Sequence, residues 1–209
     1  MADAMREALA LRDRCSIALS GGRSPANTFR NLSRADVAWP SVDVFQVDER
    51  VAPDGHSDRN LVLISQELRV EARVHPMPVT ESDLETAART YEDDLVTACG
   101  SPPAIDLVHL GIGADGHIAS LVPGDAVLDI SDRYVVMTAE YGGYRRMTLT
   151  FPVLEAARSL VLVVGGAEKA DALERMFAGD PSAPASRLIG RSIRVLADEA
   201  AGRSLSASR

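Results

Sequence analysis

Aromatic side chains make up only 4% of this 209-residue chain, and it has two cysteines, Cys15 and Cys99. Two cysteines in a chain of this kind do not form a disulfide framework, so both are expected to be reduced. Long apolar runs are also missing. The longest, such as Leu160 to Val164, are strand-sized, whereas crossing a bilayer takes roughly 20 residues, so no membrane span is expected. Met1 to Arg14 alternate charge with Ala and Leu at helical spacing. They show neither a positive n-region nor an apolar h-region, which points to a cytoplasmic protein. Positive charge is in deficit: 22 Lys and Arg against 30 Asp and Glu leave a net charge of -8. A surface that tracks nucleic-acid phosphates would have to form against that field, which excludes broad nucleic-acid binding. A pocket for one small anion is still allowed, because a few convergent cations and helix N-termini suffice. The histidines and cysteines show no metal-ligand spacing. Internal repeats are absent, and the only biased stretch is Ala178 to Ala185, with a polar tail after Gly202.

With 46% hydrophobic and 25% charged residues, the chain can bury a core, and its length suits a single domain over 1–209. A helical pattern ends near Leu11, and the apolar run Cys15 to Leu19 stops at Ser20-Gly21-Gly22. Ser24 before Pro25 is an N-cap signal for a helix continuing through Leu32. A second strand, Val42 to Val47, ends in Asp48-Glu49-Arg50, followed by a helix capped near Ser57. Thr80 to Asp83 has the spacing of a capping box, and Leu84, Ala87, Ala88, Tyr91 and Leu95 then mark one face of a helix. Ile105 to Leu110 is a third strand. It runs into the glycine loop Gly111 to His117, with a short helix expected after it. Tyr134 to Ala139 and Met147 to Thr150 read as strands around Gly142-Gly143. Leu160 to Val164 leads through Gly165-Gly166 into a helix containing Lys169, and Ser192 to Leu196 is a last strand. Strands alternating with helices, several apolar on both faces, predict a three-layer α/β fold, a mainly parallel Rossmann-like sheet with helices on both faces. The loops at Ser20, Asp48, Gly111 and Gly165 should then converge on one crevice at the carboxyl edge of the sheet.

The loop Ser20-Gly21-Gly22-Arg23-Ser24-Pro25 lets backbone approach a ligand and aims helix N–H groups at it, which suits a phosphate, with Arg23 adding charge. Strand alternation sends Asp48 and Arg50 to one face and Glu49 to the other. His117 sits on a glycine loop with Asp115 two residues earlier to orient it, and is the candidate general base. His56, His75 and His109 lack that setting. Arg145, Arg146 and Lys169 supply cations near two further strand ends.

Six short motifs, in this order, resemble the 6-phosphogluconolactonase family. They are Ser20 to Pro25, Asp48-Glu49-Arg50, Ser57-Asp58-Arg59-Asn60, Gly111 to Leu121, Arg146 to Thr150 and Gly166 to Lys169. The resemblance runs from about residue 16 to 200. Glucosamine-6-phosphate deaminases share the implied sugar-phosphate isomerase/deaminase fold and a similar Asp-Gly-His loop. Theirs continues His-Ile-Ala-Phe-Asn-Glu-Pro, with the glutamate in the catalytic group. Here Val122 takes the glutamate's place, and an apolar side chain cannot relay a proton. The family also has a strand before the Ser-Gly-Gly loop that this chain is expected to lack. Its proline-rich lead into Arg-x-Thr-Leu-Thr is replaced by Tyr141-Gly142-Gly143-Tyr144-Arg145.

The resemblance implies hydrolysis of 6-phospho-D-glucono-1,5-lactone to 6-phospho-D-gluconate in the oxidative pentose phosphate pathway, without a cofactor, by a monomer or homodimer. His117, Asp115 and Arg50 are the expected catalytic set. Ser20, Gly21, Gly22, Arg23, Asp48, Asn60, Gly113, Arg146 and Lys169 are expected to hold the substrate and its phosphate. The oxyanion would fall to backbone N–H groups of Gly113 to Gly116 or to Arg50. The competing readings are an amino-sugar-phosphate deaminase and a non-catalytic sugar-phosphate sensor.

Overall fold

The apolar run Cys15–Leu19 forms β1, a fully buried strand near the middle of the principal sheet. The structure, a computed structural model, describes residues 1–22 and 26–206, so Arg23 and the cap signal at Ser24-Pro25 lie outside the described residues. Six parallel strands, β1, β2 (Val42–Gln46), β4 (Arg73–His75), β5 (Leu107–Leu110), β8 (Leu160–Val164) and β9 (Ile193–Ala197), lie in the order β4-β2-β1-β5-β8-β9. Alternate side chains serve two cores. Ile17 and Leu19 enter a cluster with Met5 of α1 (Ala2–Arg12), Phe29 of α2 (Ala26–Leu32) and Ile64 of α3 (Asn60–Glu67). Ala18 and Phe45 enter the other, with Tyr91 and Leu95 of α4 (Leu84–Cys99) and Leu173 and Met176 of α6 (Ala170–Phe177). A sheet apolar on both faces must be covered on both, which gives the three layers expected.

A second, antiparallel sheet is made of β3 (Asp48–Arg50), β7 (Arg146–Leu149) and β6 (Val135–Met137). Asp48-Glu49-Arg50 is therefore not the tip of the second strand: Val47 donates to Leu19 in the first sheet and accepts from Leu149 in the second, so the chain changes sheets there. Three further expectations are corrected. The helix expected near Ser57 begins at Asn60, because its first N–H groups are satisfied by the Glu49 carboxylate and not by a local cap. No helix follows His117. Ile118 and Leu121 close a tight turn, with Ala119 at φ 53°, and a 3-10 turn comes only at Ala126–Asp129. Asp83, placed inside a capping box by the sequence, is itself the cap of α4 and accepts from Glu85 N–H and Thr86 N–H.

The segment Ala178 to Ala185 is no loose linker, since Ala183, Pro184 and Ala185 are buried and a 3-10 turn covers Pro184–Leu188. Two helices are not expected from the sequence: α5 (Phe151–Ala156), and α7 (Glu199–Ser206), which runs through the expected polar tail. Lys169 lies in a 3-10 turn ahead of α6 and not within it. Both cysteines are free thiols, and burial pushes the Cys15 thiol up to about 12. Among the described residues no helix is long and apolar enough to cross a membrane.

Candidate active site

The chain builds β1, β2 and β4 outward in one direction and then returns to build β5, β8 and β9 in the other, so the order reverses between β1 and β5. A crevice opens where the loops leaving two such strands diverge. Here it encloses about 400 Å³. The four loops expected to converge all reach it. Ser20, Gly21 and Gly22 arrive from β1, Asp48 and Arg50 from β3, and Asn60 from the start of α3. Gly113 and His117 come from the loop after β5, Arg146 from β7, and Gly165 and Lys169 from the loop after β8. Asp115 stands behind His117, away from the crevice lining.

The loop after β5 folds around its own hydrogen bonds. Gly113 N–H donates to the His117 carbonyl at 2.8 Å, and Gly116 N–H to the Gly113 carbonyl at 3.0 Å. His117 N–H reaches Asp115 Oδ1 at 3.2 Å, and His117 Nδ1 lies 2.6 Å from the same oxygen. A carboxylate only accepts, so Nδ1 carries a proton, and in the neutral imidazole the lone pair is on Nε2. Burial pushes the Asp115 carboxyl up. The charge and hydrogen bonds of His117, joined by Tyr141, outweigh burial and hold it below the usual carboxylate range. Gly113 is required by close approach: a Cβ there would sit 2.1 Å from His117 Nδ1. From α6, Arg175 donates to the carbonyls of Ala114 (3.2 Å) and Asp115 (3.4 Å), pinning the turn from outside. The N–H groups of Gly113, Gly116 and His117 are thus occupied inside the turn and do not face a ligand.

Strand alternation separates Asp-Glu-Arg as expected, but Glu49 is no solvated charge. It is fully buried and accepts from Gln46 Nε2, Arg50 N–H, Asn60 N–H and Leu61 N–H at 2.7–2.9 Å, with Arg59 Nε at 3.1 Å. This carboxylate fastens α3 to β3 and so places Asn60 beside Asp48 and Arg50. Asn60 Nδ2 donates to Asp48 O at 2.8 Å, and its Oδ1 accepts from Arg50 Nη1 at 2.8 Å. Gly21 lets this side chain lie against the first loop, since a Cβ there would fall 2.0 Å from Asn60 Oδ1. Asp48 is buried, and Ser120 Oγ donates to its Oδ2 at 2.7 Å. Burial raises its carboxyl above the usual range against the pull of Ser120, Arg146 and Arg50.

Arg146 is buried as well, and its Nε has no hydrogen-bond partner. Burial, then the charge of Arg50, draws its guanidinium below the usual value. Lys169 makes no ion pair among the described residues. Arg145 points elsewhere, 3.6 Å from Glu85. One lining residue is a histidine that the sequence sets aside as lacking the setting of His117: His109, 1% exposed on β5, with neither ring nitrogen hydrogen-bonded. Its position two residues before Gly111, on a strand aimed at the crevice, was the available signal. Ser120 lies inside the Gly111 to Leu121 motif with no sign of its partner, and Arg175 carries no signal, because those partners are 72 and 60 residues away. No group of three His, Cys, Asp or Glu side chains among the described residues is placed to hold a metal.

The model of a family described as glucosamine-6-phosphate isomerases/6-phosphogluconolactonase matches residues 1–196. A 6-phosphogluconolactonase of Synechocystis sp. is 39% identical over 95% of this chain and 88% of its own length. One from Nostoc sp. is 35% identical over the same shares, 95% and 88%. Among solved structures, 6-phosphogluconolactonase from Thermotoga maritima superposes with a TM-score of 0.84 at 28% identity, covering 93% of this chain and 89% of that one.

Proposed function

Because this chain belongs to the glucosamine-6-phosphate isomerase/6-phosphogluconolactonase family, we infer that it is a hydrolase opening 6-phospho-D-glucono-1,5-lactone to 6-phospho-D-gluconate. The observation that carries this reading is the Asp115–His117 pair, 2.6 Å apart, with His117 on the crevice wall among cationic side chains. Val122, where the deaminases carry a glutamate, favours lactone hydrolysis over deamination.

In this reading Asp115 fixes the imidazole so that Nε2 meets an incoming water. Nε2 takes a proton as the oxygen attacks the lactone carbonyl. It returns that proton to the ring oxygen as the C1–O bond breaks, so the products are the 6-phosphogluconate acid and unchanged enzyme. With the Gly113, Gly116 and His117 N–H groups committed to the turn, Arg50 is the better of the two oxyanion candidates. Arg146 and Lys169 are assigned to the phosphate, helped by the Gly21-Gly22 backbone and Ser20, while Asp48 and Asn60 hold sugar hydroxyls and Arg50. No cofactor takes part in these steps.

The test is to generate the lactone in situ from glucose 6-phosphate and follow its decay by NMR, subtracting spontaneous opening. Glucosamine 6-phosphate is incubated in parallel and assayed for ammonia. Accelerated decay without ammonia release is expected. Ammonia release, or ligand binding with no acceleration, would replace the lactonase reading with the deaminase or the sensor.

A further inference from the structure

The hairpin between β6 and β7 carries Tyr141-Gly142-Gly143-Tyr144, where the family resemblance leads one to expect prolines. Tyr141 N–H donates to the Tyr144 carbonyl at 3.0 Å, and Gly142 and Gly143 have φ of 61° and 83°. Two positive φ values in a two-residue turn suit the right-handed twist of a hairpin and admit glycine at both positions. The turn gives its two tyrosines different carboxylate partners. Tyr144 Oη donates to Asp58 Oδ2 at 2.8 Å, and Tyr141 Oη donates to Asp115 Oδ2 at 3.2 Å.

Tyr141 touches more than the carboxylate. Its ring meets the His117 imidazole edge-on, with centroids 5.5 Å apart at 71°. The guanidinium carbon of Arg146 lies 5.2 Å from the ring centroid, and Arg146 Nη2 donates to the Tyr141 carbonyl at 3.2 Å. A tyrosine that merely decorated a hairpin would have no reason to meet the imidazole, its carboxylate and a lining cation together. We propose that Tyr141 is a positioning residue for the Asp115–His117 pair, its hydroxyl fixing the free oxygen of Asp115 and its ring joining the pair to Arg146.

Asp115 Oδ1 is taken by His117, and with Oδ2 held by Tyr141 the carboxylate plane cannot rotate, so Nε2 keeps its aim. The hydrogen bond also disperses charge that otherwise acts on the imidazole. The other charged groups around the pair are Arg146 on β7, Arg50 and Asp48 on β3, and Glu168 and Lys169 after β8, while Arg175 meets only backbone carbonyls of this turn. None of these donates to Asp115 Oδ2 among the described residues.

The activity part of this inference rests on the lactonase reading, so its test has two arms. Tyr141→Phe in the full chain removes only the hydroxyl. It should lower kcat about 10- to 100-fold with KM within about twofold, as loss of one hydrogen bond to a charged group does. The acid limb of kcat/KM should move to higher pH, since undispersed carboxylate charge favours the imidazolium. Tyr141→Ala, which also removes the ring beneath Arg146, should raise KM for the phosphorylated lactone as well. The second arm is independent of turnover. The downfield Nδ1–H proton resonance of His117, identified by its loss in His117→Gln, should shift in Tyr141→Phe. An unmoved resonance with an unmoved pH profile overturns the proposal, whatever happens to thermal stability. A shifted resonance in a protein that opens no lactone sustains the positioning role and rejects the lactonase reading.

Discussion

His109 makes the crevice sensitive to acid, and the size of the effect can be worked from its surroundings. The side chain is 1% exposed, its ring nitrogens have no partner, and Phe29 packs edge-on at 5.3 Å. Burial alone lowers its pKa from 6.5 to about 4. The unfolded chain therefore binds a proton below pH 6.5 that the folded chain refuses until about pH 4, so the stability present above pH 6.5 is lost as pH falls through that window. At about 1.4 kcal/mol per pH unit, the full loss is about 3.5 kcal/mol. His109→Leu removes the proton site and leaves no unpartnered nitrogen. The variant should match or exceed the parent by about 1 kcal/mol at neutral pH. It should gain roughly a further 2–3 kcal/mol over it at pH 4.5. Asp43, Asp115 and Asp198, whose carboxyls are held low by their partners, contribute acid sensitivity equally to both proteins and cancel in the comparison. Urea unfolding of both proteins at pH 7 and 4.5 measures the difference. A stability gap that does not widen on acidification would refute the assignment of a neutral, sealed imidazole.

Glu49→Gln leaves the guanidinium of Arg59, 4% exposed, with the exposed Asp54 as its one remaining charged partner among the described residues, and should cost about 3–5 kcal/mol, readable as a lower Tm. The helix start at Asn60 loosens with it. Arg146→Ala and Lys169→Ala should each raise KM for the phosphorylated lactone about 10- to 100-fold while changing hydrolysis of unphosphorylated gluconolactone little. Equal losses on both substrates would remove these cations from phosphate recognition.

The convergence of the loops at Ser20, Gly111 and Gly165 was legible because it depends on order alone: each follows an apolar strand, and parallel strands end on the same edge, whereas Asp48 reaches the crevice from the second sheet. His117 and Asp115 were legible because both lie in one five-residue turn. Glu49 was not. Its neighbours in sequence are charged, and only the change of sheet at Val47 carries its carboxylate inside to meet the N-terminus of α3. The same change of sheet moved the helix start from Ser57 to Asn60. The short helix α5 was hidden because its six residues offer less than two turns of periodicity. Tyr141 and Ser120 act through partners 26 and 72 residues away, a distance that no local pattern encodes.

The most direct measurement is the rate of lactone opening by the parent chain and by His117→Ala, at matched concentration and with spontaneous opening subtracted. If Nε2 of His117 is the base, the enzymatic rate should fall by about 10²–10⁴-fold, with the Tm and the binding of 6-phosphogluconate retained. An unchanged rate in a folded variant would contradict the mechanism and place the base elsewhere in the crevice.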